Sequence, residues 1–502
     1  VIGTTATTTG AAEGVRGTRE REVRLLIAGG GPGGRVSYLM ARRLGLGPTT
    51  LVMNEEPTVI CSLPYGVGRR LIPEGPEATV VSLSSGHRLP PDMPRDVISG
   101  TLVSVDPEAR VARARGPEGE IRIRYESLIL APGAAPWIPP LEGALRPGTG
   151  TADLPAPGPL VAVGDDWVPR ERLAEGIFVL RGAEDARALD ALAARARRVA
   201  VVGTGAVGLE VLEALTDRGV GVVALEALPH AVSALDGELA ARVEARLRDR
   251  GVELRLSARI LSWRPGELGL ESGRLPVEAV VFASGVRPRL DLARSMNLRV
   301  ERGIVVDGRM RTSCPGVWAV GDAVQIADGA TGRPLLPLIG TLAMRQAMTA
   351  VSDLAGTPAG LPPATVWGVS EIFDLHWGSV GWSEEAASRA GLSVLGLSLP
   401  VRSRDPFMPS GREGLWKLTL SAGGGEAEGI RPGQILGFQV VTEGDSPIHL
   451  AERFVDIVAR RETLPDLFGH YFIHSPAHNA VDDPFLALLG MGMERLRTLS
   501  GR

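Results

Sequence analysis

Apolar residues along this chain follow one rhythm twice before changing to another. A short, continuous apolar run leads into a glycine turn, and apolar residues at helical spacing come next. In VRLLIAGGGPGGRVSYLMARRL, starting at Val23, a buried strand precedes the turn, and Val36, Leu39, Met40 and Leu44 recur on a helical period. In RRVAVVGTGAVGLEVLEALTDRGVGVVALEALP the same strand, turn and helix run on into a second strand that ends at Glu226. From about Pro363 the pattern becomes alternating strand segments, such as LWKLTL and QILGFQVV, followed by the helical stretch HLAERFVDIVARR. The pattern predicts an α/β protein with two strand–turn–helix units and a C-terminal α+β domain.

Composition narrows what such a chain can do. At 502 residues, 44% hydrophobic and 22% charged, it can bury the cores of two or three soluble domains. A net charge of −4 without a basic stripe argues against nucleic acid as a partner. Lys417 is the only lysine, so Schiff-base chemistry has no other candidate. The two cysteines, Cys61 and Cys314, are too few for a disulfide scaffold or a cysteine-rich metal site, and no metal is expected. The first 22 residues hold no apolar run resembling a signal peptide, and no stretch resembles a membrane span. A disordered lead-in over 1–22, a cytoplasmic location and no membrane contact are the expectations.

The glycine turns carry the first chemistry. Gly29, Gly31 and Gly34, with Pro32 and Gly33 between them, form G-x-G-x-x-G, as do Gly203, Gly205 and Gly208 around Ala206 and Val207. Glycine lets the backbone approach a pyrophosphate, and the following helix N-terminus offers amide donors and a favourable dipole. An acid at the end of the next strand holds the ribose hydroxyls. Glu226 follows Gly208 by 18 residues, close to the usual distance of about 20. In the first unit the acid is Glu55, with Asn54 nearer that spacing. A carboxylate at 226 repels a 2′-phosphate, and no arginine follows in ALPH, so NADH is favoured over NADPH. Two dinucleotide sites in one chain suggest FAD plus NADH.

At this point the chain resembles the FAD-dependent pyridine nucleotide–disulfide oxidoreductases. YESLILAPGAAPWIPPLEG, with Ala131 and Gly133, is similar to the family's return from the FAD domain, and VVFASGVRPRLDL, with Gly285, to the end of its NAD domain. GIVVDGRMRTSCPGVWAVGDAVQ resembles the second FAD fingerprint, in which Gly321 precedes the ribityl-binding Asp322. The resemblance implies two Rossmann-like domains, with the NAD domain inserted into the FAD domain. Residues 23–174 and 290–362 then form the two FAD-binding segments, 175–289 the NAD(H)-binding domain and 363–502 the dimerisation domain. It also implies a homodimer with shared active sites. The segment 144–175, rich in Pro, Gly and Asp, reads as a surface insertion.

Cys61 opens CSLPYGVGRR, and the position five residues on is Gly66, so a C-x4-C redox pair is not available. The stretch resembles the family's single-cysteine group, which includes coenzyme A-disulfide and persulfide reductases and NADH oxidases. That resemblance implies electron flow from NADH through flavin to the Cys61 thiolate, which reacts with a disulfide, persulfide or peroxide. The alternatives are NADH oxidase or peroxidase activity through a cysteine sulfenic acid, and, from another class, a redox-sensing or electron-transfer flavoprotein subunit. Glu210 sits where relatives keep a carboxylate near the flavin–nicotinamide contact; its usual lysine partner is missing, with Arg69 or Arg70 as substitute. Cys314 reads as a structural cysteine.

GHYFIHSPAHNAVDDP holds His470, His474 and His478, whose spacing suggests a helical face, but Pro476 breaks a helix there. In the family the corresponding stretch brings a tyrosine, or a His-Pro pair, to the partner's active site. The resemblance makes His474 or His478 a general acid acting on the other subunit's Cys61; packing at the dimer interface is the other role open to them.

Overall fold

The computed structural model describes residues 19–54, 63–80, 96–148, 159–423 and 429–499. Cys61 and Glu55 lie outside the described residues. The first sheet is built on the long strand Gly119–Leu130, which pairs in parallel with Arg19–Ala28. Thr49–Met53 and Val97–Ser99 continue the parallel set outward from Arg19–Ala28. On its other side Gly119–Leu130 pairs antiparallel with Val111–Gly116, which in turn pairs antiparallel with Thr101–Asp106. The last three residues of Gly119–Leu130 pair instead with Val317–Ala319. The chain therefore leaves this sheet, builds a second one, and returns to complete the first.

That second sheet is five-stranded and parallel, in the order Ile177–Val179, Ala279–Phe282, Arg198–Val202, Gly221–Leu225, Glu253–Arg255. Its central strands are buried apolar runs over Ala279–Phe282, 199–202 and 222–225, as a parallel sheet covered on both faces requires. A third, antiparallel sheet of Trp367–Ile372, Leu375–Gly381, Ile435–Glu443, Glu413–Ser421 and Val394–Arg402 forms the C-terminal unit. The helix Ile448–Ala459 packs on it around Phe438 and Phe454, whose stacked rings lie 3.7 Å apart. No helix among the described residues is long and apolar enough to cross a membrane.

Three expectations need correcting. Residues Arg19–Glu22 are strand rather than lead-in, paired with Ile121–Arg124. Their charges hid this, because the edge is held by backbone bonds and by Arg122 Nη1 donating to Glu20 Oε1 at 2.7 Å, not by apolar burial. The segment 144–175 is not merely a surface insertion. Leu160–Val163 and Asp166–Pro169 form a hairpin that extends the pair Ala134–Ile138 and Val286–Pro288 into a four-stranded sheet, burying Leu160, Val161, Ala162 and Val168. On the helix Pro32–Arg43 the buried face is Gly33, Gly34, Ser37, Tyr38 and Ala41, while Leu44 is exposed and Leu39 and Met40 are only partly covered.

Candidate active site

The two glycine turns are near copies of each other. Gly31 and Gly205 cap their helices with φ/ψ of −69/−178° and −72/−177°, and neither helix has a side-chain cap. The amides of Gly33 and Gly34 (Pro32 has none to offer) and of Ala206, Val207 and Gly208 are thus left for a ligand. The outer glycines are required by close approach: a Cβ on Gly34 would stand 1.8 Å from Gly29 O, and one on Gly208 2.0 Å from Gly203 O. A Cβ on either middle glycine, Gly31 or Gly205, would meet nothing within 4 Å. Bare backbone therefore faces open space where a pyrophosphate must come close.

In the second cradle Glu226 is held for its task. Its Oε2 accepts from Thr204 N at 3.0 Å and Thr204 Oγ1 at 2.8 Å, and its Oε1 from Leu228 N at 3.1 Å. In the first cradle Asn54 Nδ2 is buried at the end of its strand with no hydrogen-bond partner. Arg35, one residue past Gly34, likewise buries an unpartnered Nε, and burial lowers its pKa. These orphaned donors and uncapped amides fit an anionic dinucleotide.

The second fingerprint closes on this cradle. A Cβ on Gly33 would stand 3.1 Å from Val320 Cγ2, and Gly321 N donates to Gln346 Oε1 at 2.7 Å. Burial raises the pKa of Asp322, and the Arg181 guanidinium pulls it back. The same Arg181 reaches Gly133, within 4.0 Å of the position of a Cβ there. Arg181 thus links the Ala131–Gly133 return to Asp322. Gly285, at φ +104°, also faces open space, and its carbonyl accepts from Trp137 N at 3.0 Å. Sequence reasoning missed Arg181 and Arg35, since neither belongs to a motif; the one available signal was a cation directly after the last glycine of a phosphate turn.

The turn that follows Cys61 packs on the unit of the second cradle. Leu63–Gly68 buries Leu63, Pro64, Gly66 and Val67, and a Cβ on Gly68 would stand 2.8 Å from Ala214 Cβ on the second cradle's helix. Arg69 does not pair with Glu210. Its Nη1 donates to Glu371 Oε1 at 2.6 Å and its Nη2 lies 3.3 Å from Glu213, while Arg70 is exposed. Helical geometry explains this, because Glu210 and Glu213 project about 60° apart and only Glu213 faces Arg69. Glu210 instead accepts from Ser370 Oγ at 3.1 Å. Burial pushes the Glu210 carboxyl up to about 7; the Ser370 bond opposes this, and Glu213 and Glu371 add to it.

This has a sign in pH. A folded pKa near 7 against an ordinary 4.5 means that the neutral acid is the form the fold favours. Its contribution to stability is full below 4.5 and is lost as pH rises to 7. Glu210→Gln is therefore expected to gain about 3 kcal/mol over wild type across that window. Thermal unfolding of both proteins at pH 4.5, 6 and 8 checks it; parallel curves would refute the burial argument.

The histidines do not share a face. His470 bonds Glu462 at 2.6 Å and stacks on Phe485, while His474 and His478 are exposed on an irregular loop. Arg404 Nη1 donates to His478 O at 2.7 Å, and Asn479 Nδ2 to Ile473 O at 2.7 Å, which fixes the loop. No group of three metal-ligating side chains occurs among the described residues.

Two uncapped cradles of the same strand–turn–helix build in one chain define a two-nucleotide oxidoreductase fold. The family model for pyridine nucleotide-disulphide oxidoreductases matches residues 23–353, and the chain belongs to that family of FAD-dependent, NAD(H)-using enzymes. An NADH oxidase of Methanocaldococcus jannaschii is 26% identical over 480 residues, 92% of this chain and 97% of its own. A CoA-dependent NAD(P)H sulfur oxidoreductase of Pyrococcus furiosus is 24% identical over 391 residues, 76% of this chain and 80% of its own. An NAD-dependent persulfide reductase from A. fulgidus matches in structure with a TM-score of 0.80 at 24% identity, covering 94% of this chain and 83% of that one.

Proposed function

We propose that this enzyme uses NADH to reduce a low-molecular-weight disulfide, persulfide or polysulfide at Cys61. The observation that supports it most is the burial of Leu63–Gly68, directly after Cys61, against the helix of the second cradle. That burial sets the residues after the lone thiol against the unit proposed to bind NADH. FAD, when bound, accepts the electron pair of NADH and delivers it to sulfur. The Cys61 thiolate attacks the acceptor's S–S bond, forms a mixed disulfide and expels a thiolate, which takes a proton. Two electrons then cleave the mixed disulfide and regenerate the thiolate, so that NADH, H⁺ and RSSR become NAD⁺ and two RSH. The Glu226 carboxylate accepts from the adenosine ribose and selects NADH.

The second reading is NADH oxidase or peroxidase chemistry through a Cys61 sulfenic acid, favoured by the relative of that name that spans nearly the whole chain. Anaerobic reduction with NADH, followed by stopped-flow reoxidation against a disulfide, a persulfide, polysulfide, peroxide and oxygen, separates the two. Fastest reoxidation by a sulfur acceptor supports the first reading. Oxygen or peroxide outrunning every sulfur acceptor supports the second, and no turnover with any would leave a sensing or electron-transfer subunit.

The site is shared in a homodimer. Phe468, Tyr471 and Ile473 are 74, 87 and 79% exposed around the histidine loop, an apolar surface that a second subunit would cover. His474 or His478 then protonates the thiolate leaving the other subunit's Cys61. Mixing inactive Cys61→Ser with inactive His474→Ala or His478→Ala, after subunit exchange, is expected to recover one working site per heterodimer. Proven heterodimers without activity would rule out action in trans.

A further inference from the structure

The only lysine of the chain is buried in the C-terminal sheet, on the strand Glu413–Ser421. Lys417 Nζ lies 2.7 Å from Glu238 Oε1, 2.8 Å from Glu384 Oε2 and 3.1 Å from Asp236 Oδ2. Asp236 caps the helix Gly237–Asp249 of the second cradle's unit, whereas Lys417 and Glu384 belong to the C-terminal unit. Asp236 N donates to Gln439 Oε1 at 2.6 Å, and Gln439 Nε2 donates back to Asp236 Oδ2 at 2.8 Å. The same carboxylate accepts from the amides of Glu384 and Glu385 at 3.1 and 2.9 Å.

The contacts continue along the chain towards Glu226. Ser379 Oγ donates to Ala234 O at 2.8 Å, Gly237 N donates to Glu385 Oε1 at 2.9 Å, and His230 Nε2 lies 2.9 Å from Glu385 Oε2. Ala231, Val232 and Leu235 are buried, and Val232 N donates to Thr204 Oγ1 at 3.3 Å. Thr204 Oγ1 in turn donates to Glu226 Oε2. The segment that begins at the ribose-binding carboxylate is thus fastened at its far end to the C-terminal sheet.

We infer that Lys417 is a positioning residue for coenzyme selection: it anchors Asp236, which holds the segment 227–236 and, through Val232 and Thr204, the Glu226 carboxylate. Among the described residues Lys417 is the cation that bridges these three carboxylates; it and Asp236 are buried, while Glu238 and Glu384 are partly exposed. Without it they repel, and Asp236 no longer ties the segment to the sheet. This rests on the reading of Glu226 as the group that distinguishes NADH from NADPH.

The test is the ratio of KM for NADPH to KM for NADH in the FAD-loaded enzyme. Lys417→Met is expected to lower that ratio about fivefold or more, by raising KM for NADH, with kcat and flavin content unchanged. Lys417→Arg, which keeps the charge, is expected to hold the ratio within about twofold of wild type. Should Lys417→Met fail to fold, the double variant Ser379→Ala with Glu385→Gln removes two milder links of the same chain and is expected to lower the ratio in the same direction. A folded Lys417→Met, or failing that the double variant, with an unchanged ratio overturns the inference. Glu226→Arg measured alongside separates the causes: if it too leaves the ratio unchanged, the reading of Glu226 has failed; if it shifts the ratio while the Lys417 variant does not, only the relay has failed.

Discussion

Cys61→Ser is expected to bind FAD and to be reduced by NADH at the wild-type rate, yet to lose sulfur turnover by about a thousandfold or more. The asymmetry follows from where each function resides. The contacts proposed for the dinucleotides are backbone amides, Glu226, Asp322 and the cations around the first cradle, and none of them is assigned to position 61. A serine hydroxyl ionises far above neutrality and forms no mixed disulfide or persulfide, so the electrons have no carrier to the acceptor. Thiolate-to-flavin charge-transfer absorbance should vanish as well. Cys314 cannot take over, because it is half-buried beside the first core, with its Sγ 3.8 Å from Pro315 O. Cys314→Ser should accordingly turn over like wild type. Flavin content, stopped-flow reduction and steady-state turnover with a disulfide measure all three steps, and full sulfur turnover in Cys61→Ser would remove this cysteine from the mechanism.

Some of the site was legible in the sequence because its signal is local. A G-x-G-x-x-G turn needs glycine at fixed positions for reasons inside one strand–turn–helix unit, such as the contact of Gly208 with Gly203 O. The acid at the end of the next strand is likewise set by sheet geometry, and Glu226 is bonded to the glycine turn itself. What was not legible arises across long separations. Arg69 meets Glu371, three hundred and two residues away, and Glu210 meets Ser370 at a separation of one hundred and sixty. No spacing rule reports such a contact. Periodicity also misled on the helix Pro32–Arg43, where Gly33, Gly34, Ser37 and Ala41 are buried beside Tyr38 while Leu39 and Met40 are only partly covered. A helix that must approach a phosphate turn closely buries Gly and Ala, and hydrophobic counting undervalues both.

Glu226→Arg is the second large effect expected. The wild-type carboxylate accepts three hydrogen bonds from Thr204 and Leu228, and under the proposed function its remaining lone pairs serve the adenosine ribose. Arginine accepts none of these, so kcat/KM for NADH should fall about ten- to a hundredfold, the scale of losing hydrogen bonds to a charged group. The same change turns repulsion of a 2′-phosphate into attraction, so kcat/KM for NADPH should rise. The two effects add in the preference ratio. Glu226→Gln separates them: it keeps one acceptor oxygen for Thr204 and removes the negative charge, so its NADH loss should be smaller and its NADPH gain intermediate. Steady-state kinetics with both coenzymes on the three proteins decides the matter. Should wild type already use NADH and NADPH equally, Glu226 does not discriminate, and its bonds to Thr204 and Leu228 serve only to brace the turn.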